Sequence, residues 1–185
     1  MLTMIAKVLF TVGWLPLFVF RSERFNERRA VATSDERRAM WNVAAAVSVH
    51  VTLAEIALRD AGDVPVLRAI IGIAVFLIGF AFWMLARRAL VAYGRLLDPS
   101  QPPPALVTTG PFAVVRHPLA LGVVILALGP AVTAATPLTW VSFVAVVIAL
   151  ARRCMQDEVE LRATFGADYE RYATTTTARL IPYVW

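Results

Sequence analysis

Lysine is almost missing from this chain: of 18 basic residues only Lys7 is not an arginine. A single cysteine, Cys154, excludes an intramolecular disulfide and any cysteine-rich metal site. The only histidines, His50 and His117, lie far apart, so no metal-ligand spacing emerges and no bound metal is expected. Charge is scarce as well. Only 17% of the 185 residues are charged and 59% are hydrophobic. A soluble domain of this size needs more polar surface to cover its core, so the natural solvent is a bilayer. The near-absence of lysine fits a GC-rich, bacterial coding sequence and hence a bacterial plasma membrane. Met1–Phe20 is apolar, yet a charged flank from Arg21 onward stands where a signal peptide has its small-residue cleavage site. The net charge of +5 says less than the positions of the charges, and no nucleic-acid partner is expected.

What is present is a series of long apolar runs. A helix crossing a hydrocarbon core of about 30 Å needs roughly 20 apolar residues. Met1–Phe20, Met40–Leu58 and Ala69–Ala86 each meet that length approximately, Lys7 being placed to snorkel from the first. Leu119–Ala151 carries no charge and is too long for one span, since 33 residues of helix reach about 50 Å. Gly129-Pro130 and Thr136-Pro137 offer break points, so this stretch reads as an antiparallel hairpin of two short helices. The expectation is an all-α polytopic membrane protein with about five transmembrane helices. Arginines crowd three segments: 21–38, 87–116 and 152–179. The segment near 59–68 has two arginines offset by Asp60 and Asp63, and the Gly129–Pro137 turn has none. Basic loops therefore alternate, which predicts the N-terminus outside and the C-terminus cytoplasmic. A division follows: 1–103 holds helices one to three with their basic loops, and 104–185 holds the hairpin and a charged, helical cytoplasmic tail.

Polar residues inside spans raise a functional question, because lipid burial is costly. His50 and Glu55 sit five residues apart, about 140° around a helix, and cannot share one face. Glu55 is placed to pair with Arg59 four residues on, and His50 to hydrogen-bond a neighbouring helix. The segment Leu106–Gly122, LVTTGPFAVVRHPLALG, is unusual for a loop between spans. Gly110-Pro111 forces a turn, and Pro118 restricts His117 while suiting the first turn of the next helix. Arg116 and His117 are thereby held at a helix N-terminus, where an anionic ligand is favoured. A basic membrane-edge anchor accounts for them equally well. After the last span comes RRCMQDEVELRATFGADYERY, in which Arg153–Asp157 and Glu158–Arg162 are i,i+4 pairs. Gly166 is a natural helix stop and Asp168 can cap a following turn. The default for such a segment is an amphipathic helix lying on the membrane. Its acidic residues, however, emerge near the expected position of Arg116-His117.

GPFAVVRHP, with Gly122 four after Pro118, resembles a block of the isoprenylcysteine carboxyl methyltransferase and phospholipid methyltransferase family of membrane enzymes. The second block, Asp157-Glu158, Leu161, Phe165-Gly166, Tyr169, Tyr172 and Ile181-Pro182, is similar too. The resemblance covers roughly residues 104–185. It implies transmembrane helices with S-adenosylmethionine held in a cytoplasmic pocket under the C-terminal segment. By the same resemblance Glu158 and Arg116 are the catalytic candidates. His117, Pro118, Gly122, Asp157, Glu158, Tyr169 and Tyr172 are the cofactor-binding ones. Ala120 stands where the family often has an aromatic, and Asp157 where a glutamate is usual. Methyl transfer from a sulfonium is an in-line displacement that needs alignment and exclusion of water, not a metal. A lipophilic acceptor could reach the site sideways from the bilayer. Two other readings fit parts of the sequence: an NADPH-dependent membrane reductase of sterol-reductase-like architecture, whose cofactor the arginines could serve, and a membrane subunit without catalytic activity.

Overall fold

A computed structural model describes residues 2–14, 34–60, 64–94 and 106–181. Apart from short connections these residues are helical: α1 (Leu2–Val12), α2 (Ser34–Asp60), α3 (Val66–Gly94), α4 (Pro118–Ala134), α5 (Pro137–Phe165) and α6 (Ala167–Thr175), with a 3₁₀ turn at Gly110–Ala113. No strand occurs among the described residues. Within α2, α3 and α5, Arg38–Asp60, Val66–Leu90 and Pro137–Phe165 are long and apolar enough to cross a membrane. Of the expected first span, residues 15–20 lie outside the described residues, and α1 covers Leu2–Val12.

The expected hairpin at 119–151 forms, with one break where two were offered. Gly129-Pro130 does not interrupt α4. The chain turns at Ala135, in the left-handed region at φ 51°, and Thr136 caps α5 in a reciprocal capping box with Thr139. Proline inside a helix removes one i→i−4 bond and kinks it unless neighbours support the freed carbonyls. That support is present around Pro130. Thr133 donates its hydroxyl to Gly129 O at 3.0 Å, and His50 Nε2 reaches Ala127 O at 2.9 Å.

With 17 residues, α4 is only about 25 Å long. It is also the most enclosed helix of the bundle, its buried set running from Pro118 to Ala134. Glycines let α3 approach it. A Cβ on Gly72 would stand 2.7 Å from Gly129 O, and one on Gly122 would stand 2.7 Å from Trp83 Cβ. Gly72 and Gly79 on α3, like Gly122 and Gly129 on α4, are seven residues apart, so the small residues form matching seams on two antiparallel helices.

The helix α5 has 29 residues, about 44 Å, and runs on well past the uncharged stretch. The segment Arg152–Phe165 is therefore no separate surface helix; it continues the span. Its inward face is Ser142, Val146, Leu150, Cys154 and Glu158, an unbroken i,i+4 ridge. His50 of α2 bonds Ser142 Oγ at 2.8 Å, as expected of a histidine facing a neighbouring helix. Glu55, by contrast, accepts from Thr11 of α1 instead of pairing with Arg59. Because α2 runs antiparallel to α5, and α3 to α4, the start of α2, the end of α3, the start of α4 and the end of α5 gather at one end of the bundle. Arg38, Arg87, Arg116 and Arg152 all belong to that end.

Candidate active site

Glu158 is the point on which this end converges. It closes the inward ridge of α5, only 1% exposed, about two turns beyond the last uncharged residues of the span. A carboxylate so buried needs compensation, and four cationic or potentially cationic groups surround it. Arg116 Nη1 stands 2.8 Å from Oε1, Arg179 Nε 3.2 Å and His117 Nε2 3.5 Å from the same oxygen, while Arg162 Nη2 lies 3.4 Å from Oε2.

Local structure explains why Arg116 and His117 reach it. Gly110, at φ 62°, opens the 3₁₀ turn, and Pro118 occupies the first turn of α4. Between them the chain is extended enough to pair with the C-terminal segment: Arg116 N–H donates to Ala178 O at 2.9 Å and His117 N–H to Arg179 O at 3.0 Å. Arg116 Nη2 also donates to Thr177 O at 2.8 Å. The C-terminal segment is thus strapped across the mouth of α4, carrying Arg179 to the carboxylate. A turn at Gly166 (φ 50°) reverses the chain into α6. Asp168 does not cap that helix; it lies inside the first turn and pairs with Arg171.

Tyr169 of α6 is fully buried beside the cluster, under the Arg162 guanidinium at 5.4 Å from its ring centroid. Tyr172 packs against it at 6.1 Å and donates its hydroxyl to Phe112 O at 2.7 Å. Burial raises the pKa of both phenols above the usual tyrosine range, with Arg116 opposing the shift. Burial likewise pushes His117 below its ordinary value, outweighing the attraction of Glu158, so the imidazole is neutral at pH 7.

The cluster is not saturated. Arg116 Nε, His117 Nε2 and the Tyr169 hydroxyl are buried without a well-aligned hydrogen-bond partner. His117 lies at the long end of reach from Glu158, a contact that is electrostatic more than a formed hydrogen bond. Tyr169 feels the Arg116 charge without being aligned to it. A cavity of about 790 Å³ opens between the 106–113 segment and α6, lined by Thr108, Ala113, Phe165 and Thr176 among others, and it meets the cluster through Tyr172, which packs on Tyr169. Its volume lies in the range of roughly 300–1,000 Å³ common for small-molecule sites.

Of the residues singled out in the sequence, Arg116, His117, Glu158, Tyr169 and Tyr172 come together. Asp157 faces elsewhere and pairs with Arg153 at 2.5 Å. Pro118 starts α4, and Gly122 sits against Trp83 in the helix seam. Two participants were missed as site residues. Arg162 belongs to the expected i,i+4 pair and Arg179 to the basic tail, and both touch Glu158. The i,i+4 spacing could have found the first; nothing local in the sequence points to the second. Among the described residues no group of three His, Cys, Asp or Glu side chains gathers as a metal site would require.

The sequence pattern of one family, phospholipid methyltransferase, matches residues 67–168. That is more than half of the chain. The protein belongs to the phospholipid methyltransferase family. It is a membrane methyltransferase by that membership and by its long apolar helices. The match begins in α3, well before residue 104 where the resemblance starts, so α3 carries a family signal that its hydropathy does not display. It includes Arg116, His117 and Glu158 and ends just short of Tyr169. No curated protein matches the chain.

Proposed function

We propose that the protein transfers a methyl group from S-adenosylmethionine to a lipophilic acceptor, an isoprenylcysteine carboxylate-like compound, a phospholipid or a small lipophilic molecule, at the Glu158 site. The observation that carries this reading is the unsaturated cluster itself, joined through Tyr172 to a cavity of small-molecule size in a methyltransferase family member. The donor set fits the cofactor. Guanidinium groups suit its carboxylate, a carboxylate suits its ammonium or ribose hydroxyls, and buried aromatic rings suit a sulfonium.

When bound, S-adenosylmethionine supplies an electrophilic methyl group, and the protein's part is alignment and exclusion of water. Glu158 and Arg116 are the catalytic candidates. Glu158 fixes the directions of Arg116, Arg162 and Arg179 at once, so a charged ligand meets donors that need no rearrangement. Arg116 is held at both ends of its fork, by Glu158 and by Thr177 O, which leaves its Nε for a ligand. His117, neutral at pH 7, can donate from Nε2 without adding a further positive charge to three arginines. Tyr169 offers a hydroxyl at the cluster, and Tyr172 fastens α6 over the 3₁₀ turn, closing one side of the cavity. Pro118, Gly122 and Asp157 belong to the cofactor-binding set more indirectly, by setting the start and seat of α4 and by anchoring Arg153. The arginine distribution supports a site facing the cytoplasm of a bacterial cell, with the N-terminus outside.

The test is a transfer assay with methyl-labelled S-adenosylmethionine and a bacterial lipid extract. Label is expected in the organic phase with the wild-type protein and not with Glu158→Gln. Oxidation of NADPH by the extract and protein, with no label transferred, would overturn the proposal.

A further inference from the structure

The cationic contacts of Glu158 are divided unevenly between its two oxygens. Arg116, Arg179 and His117 all approach Oε1, at 2.8, 3.2 and 3.5 Å. Oε2 has Arg162 Nη2 alone, at 3.4 Å, the long end of hydrogen-bond distance. Since Glu158 is 1% exposed, bulk solvent does not complete the surroundings of that second oxygen. Arg162 does not close on it because Arg162 is shared. Its Nε donates to Glu170 Oε1 at 3.0 Å, the shorter of its two carboxylate contacts. The Nε hydrogen and one Nη2 hydrogen lie along a single edge of the guanidinium, the edge that one carboxylate can hold by two parallel hydrogen bonds. Here two carboxylates divide it. Glu170 stands in the first turn of α6, across the Gly166 reversal from Arg162, so the sharing needs α6 folded back on α5. The side chains of Arg162 and Glu170 are 42% and 59% exposed, and a pair so open to water adds little stability. What the pair sets is a direction, with the guanidinium held over the Tyr169 ring instead of flat against Glu158.

We propose that Glu170 is a positioning residue for this site: by holding Arg162 aside it leaves Glu158 Oε2 for a hydrogen-bond donor of the bound cofactor. The inference rests on the reading of the cluster as an S-adenosylmethionine site. The donor then meets a carboxylate oxygen that is already desolvated and is not occupied by a bidentate arginine. Without Glu170 the whole Nε–Nη2 edge is free to swing onto Glu158, and a ligand has to displace it. Glu170 acts only through Arg162 and makes no contact of its own with the carboxylate it protects.

A double-mutant cycle of Glu170→Gln and Arg162→Gln on the full chain provides the test, read by calorimetric titration with S-adenosylmethionine and by the unfolding midpoint of the unliganded protein. Glu170→Gln is expected to weaken binding about fivefold, the scale of an exposed ion pair, and to leave the midpoint where it was. In the Arg162→Gln background the same substitution should cost no affinity, because no guanidinium remains to move onto Oε2. Equal affinity in wild type and Glu170→Gln, or a loss that persists without Arg162, would overturn the inference. So would a lowered midpoint with affinity per folded molecule intact, which marks a brace for α6 and nothing more. Those outcomes leave the cofactor reading standing. A wild-type protein that binds no S-adenosylmethionine would instead overturn that reading, and this inference with it.

Discussion

Two buried polar clusters share helix α5, and they are built on opposite principles. At Ser142 the cluster is small and closed. The Ala127 carbonyl can only accept, so His50 Nε2 carries the proton and Nδ1 faces Ser142 Oγ, whose one hydroxyl proton lies within reach of both Nδ1 and the Thr139 carbonyl. Sixteen residues on, about 24 Å along the helix, the Glu158 cluster is large and open. It has an excess of positive charge and three buried polar atoms without aligned partners. A saturated polar cluster inside a membrane bundle joins helices. An unsaturated one carries a standing desolvation cost that only a ligand can offset.

The largest effect that tests this contrast comes from Glu158→Gln. Removing a preorganised charge from a site typically costs about 10²- to 10³-fold in turnover, and that fall is expected per folded molecule. Arg59→Gln, exposed at the far end of α2, serves as the control and should leave turnover unchanged. Arg162→Ala cannot serve as a neutral control, since Arg162 touches both Glu158 and Tyr169.

Next in size is His50→Leu, which attacks the closed cluster. It is expected to destabilise the protein by about 1–3 kcal/mol, the penalty for leaving a buried partner unsatisfied. Turnover per folded molecule should not change. A variant of full stability and lowered turnover would erase the distinction between the clusters.

Tyr169→Phe sharpens the open side. The hydroxyl has no aligned partner in the protein, so its removal should leave thermal stability unchanged or slightly higher. If a ligand uses it, kcat/KM falls by about tenfold, equivalent to roughly 1.4 kcal/mol. Unchanged kcat/KM would show that the hydroxyl faces no ligand.

The smallest effect is a pH dependence. Burial places His117 below its ordinary value of 6.5 in the folded protein, so the unfolded chain takes up its proton first as pH falls. The stability this neutral imidazole contributes is complete above about pH 6.5 and is lost as pH drops from there through the lower folded value. Denaturation of wild type and His117→Asn across that window should show a steeper acid-side loss for the wild type. Parallel curves would mean that His117 is not held neutral.

Much of this was legible in the residues because hydrophobic runs and Pro-Gly punctuation are local signals. The spans in α2 and α3, the turn before Pro137, the start of α4 at Pro118 and the helix stop at Gly166 follow from them. Gly129-Pro130 misled because the support for a mid-helix proline comes from Thr133 and from His50, 80 residues away. The reach of α5 was missed because its charged end looks like a surface helix when the partners of Glu158 are unseen. The site was legible in part for the same reason. Arg116, His117 and Glu158 stand in motif blocks, whereas Arg179 reaches the carboxylate only through backbone pairing of the C-terminal strap with the chain before α4.

The central claim is that the open cluster binds S-adenosylmethionine, and calorimetric titration of the purified protein tests it most directly. The account predicts a dissociation constant in the micromolar range, about −8 kcal/mol, retained in His50→Leu and lost in Glu158→Gln. Absence of binding to the folded wild-type protein, or equal affinity in wild type and Glu158→Gln, would contradict it.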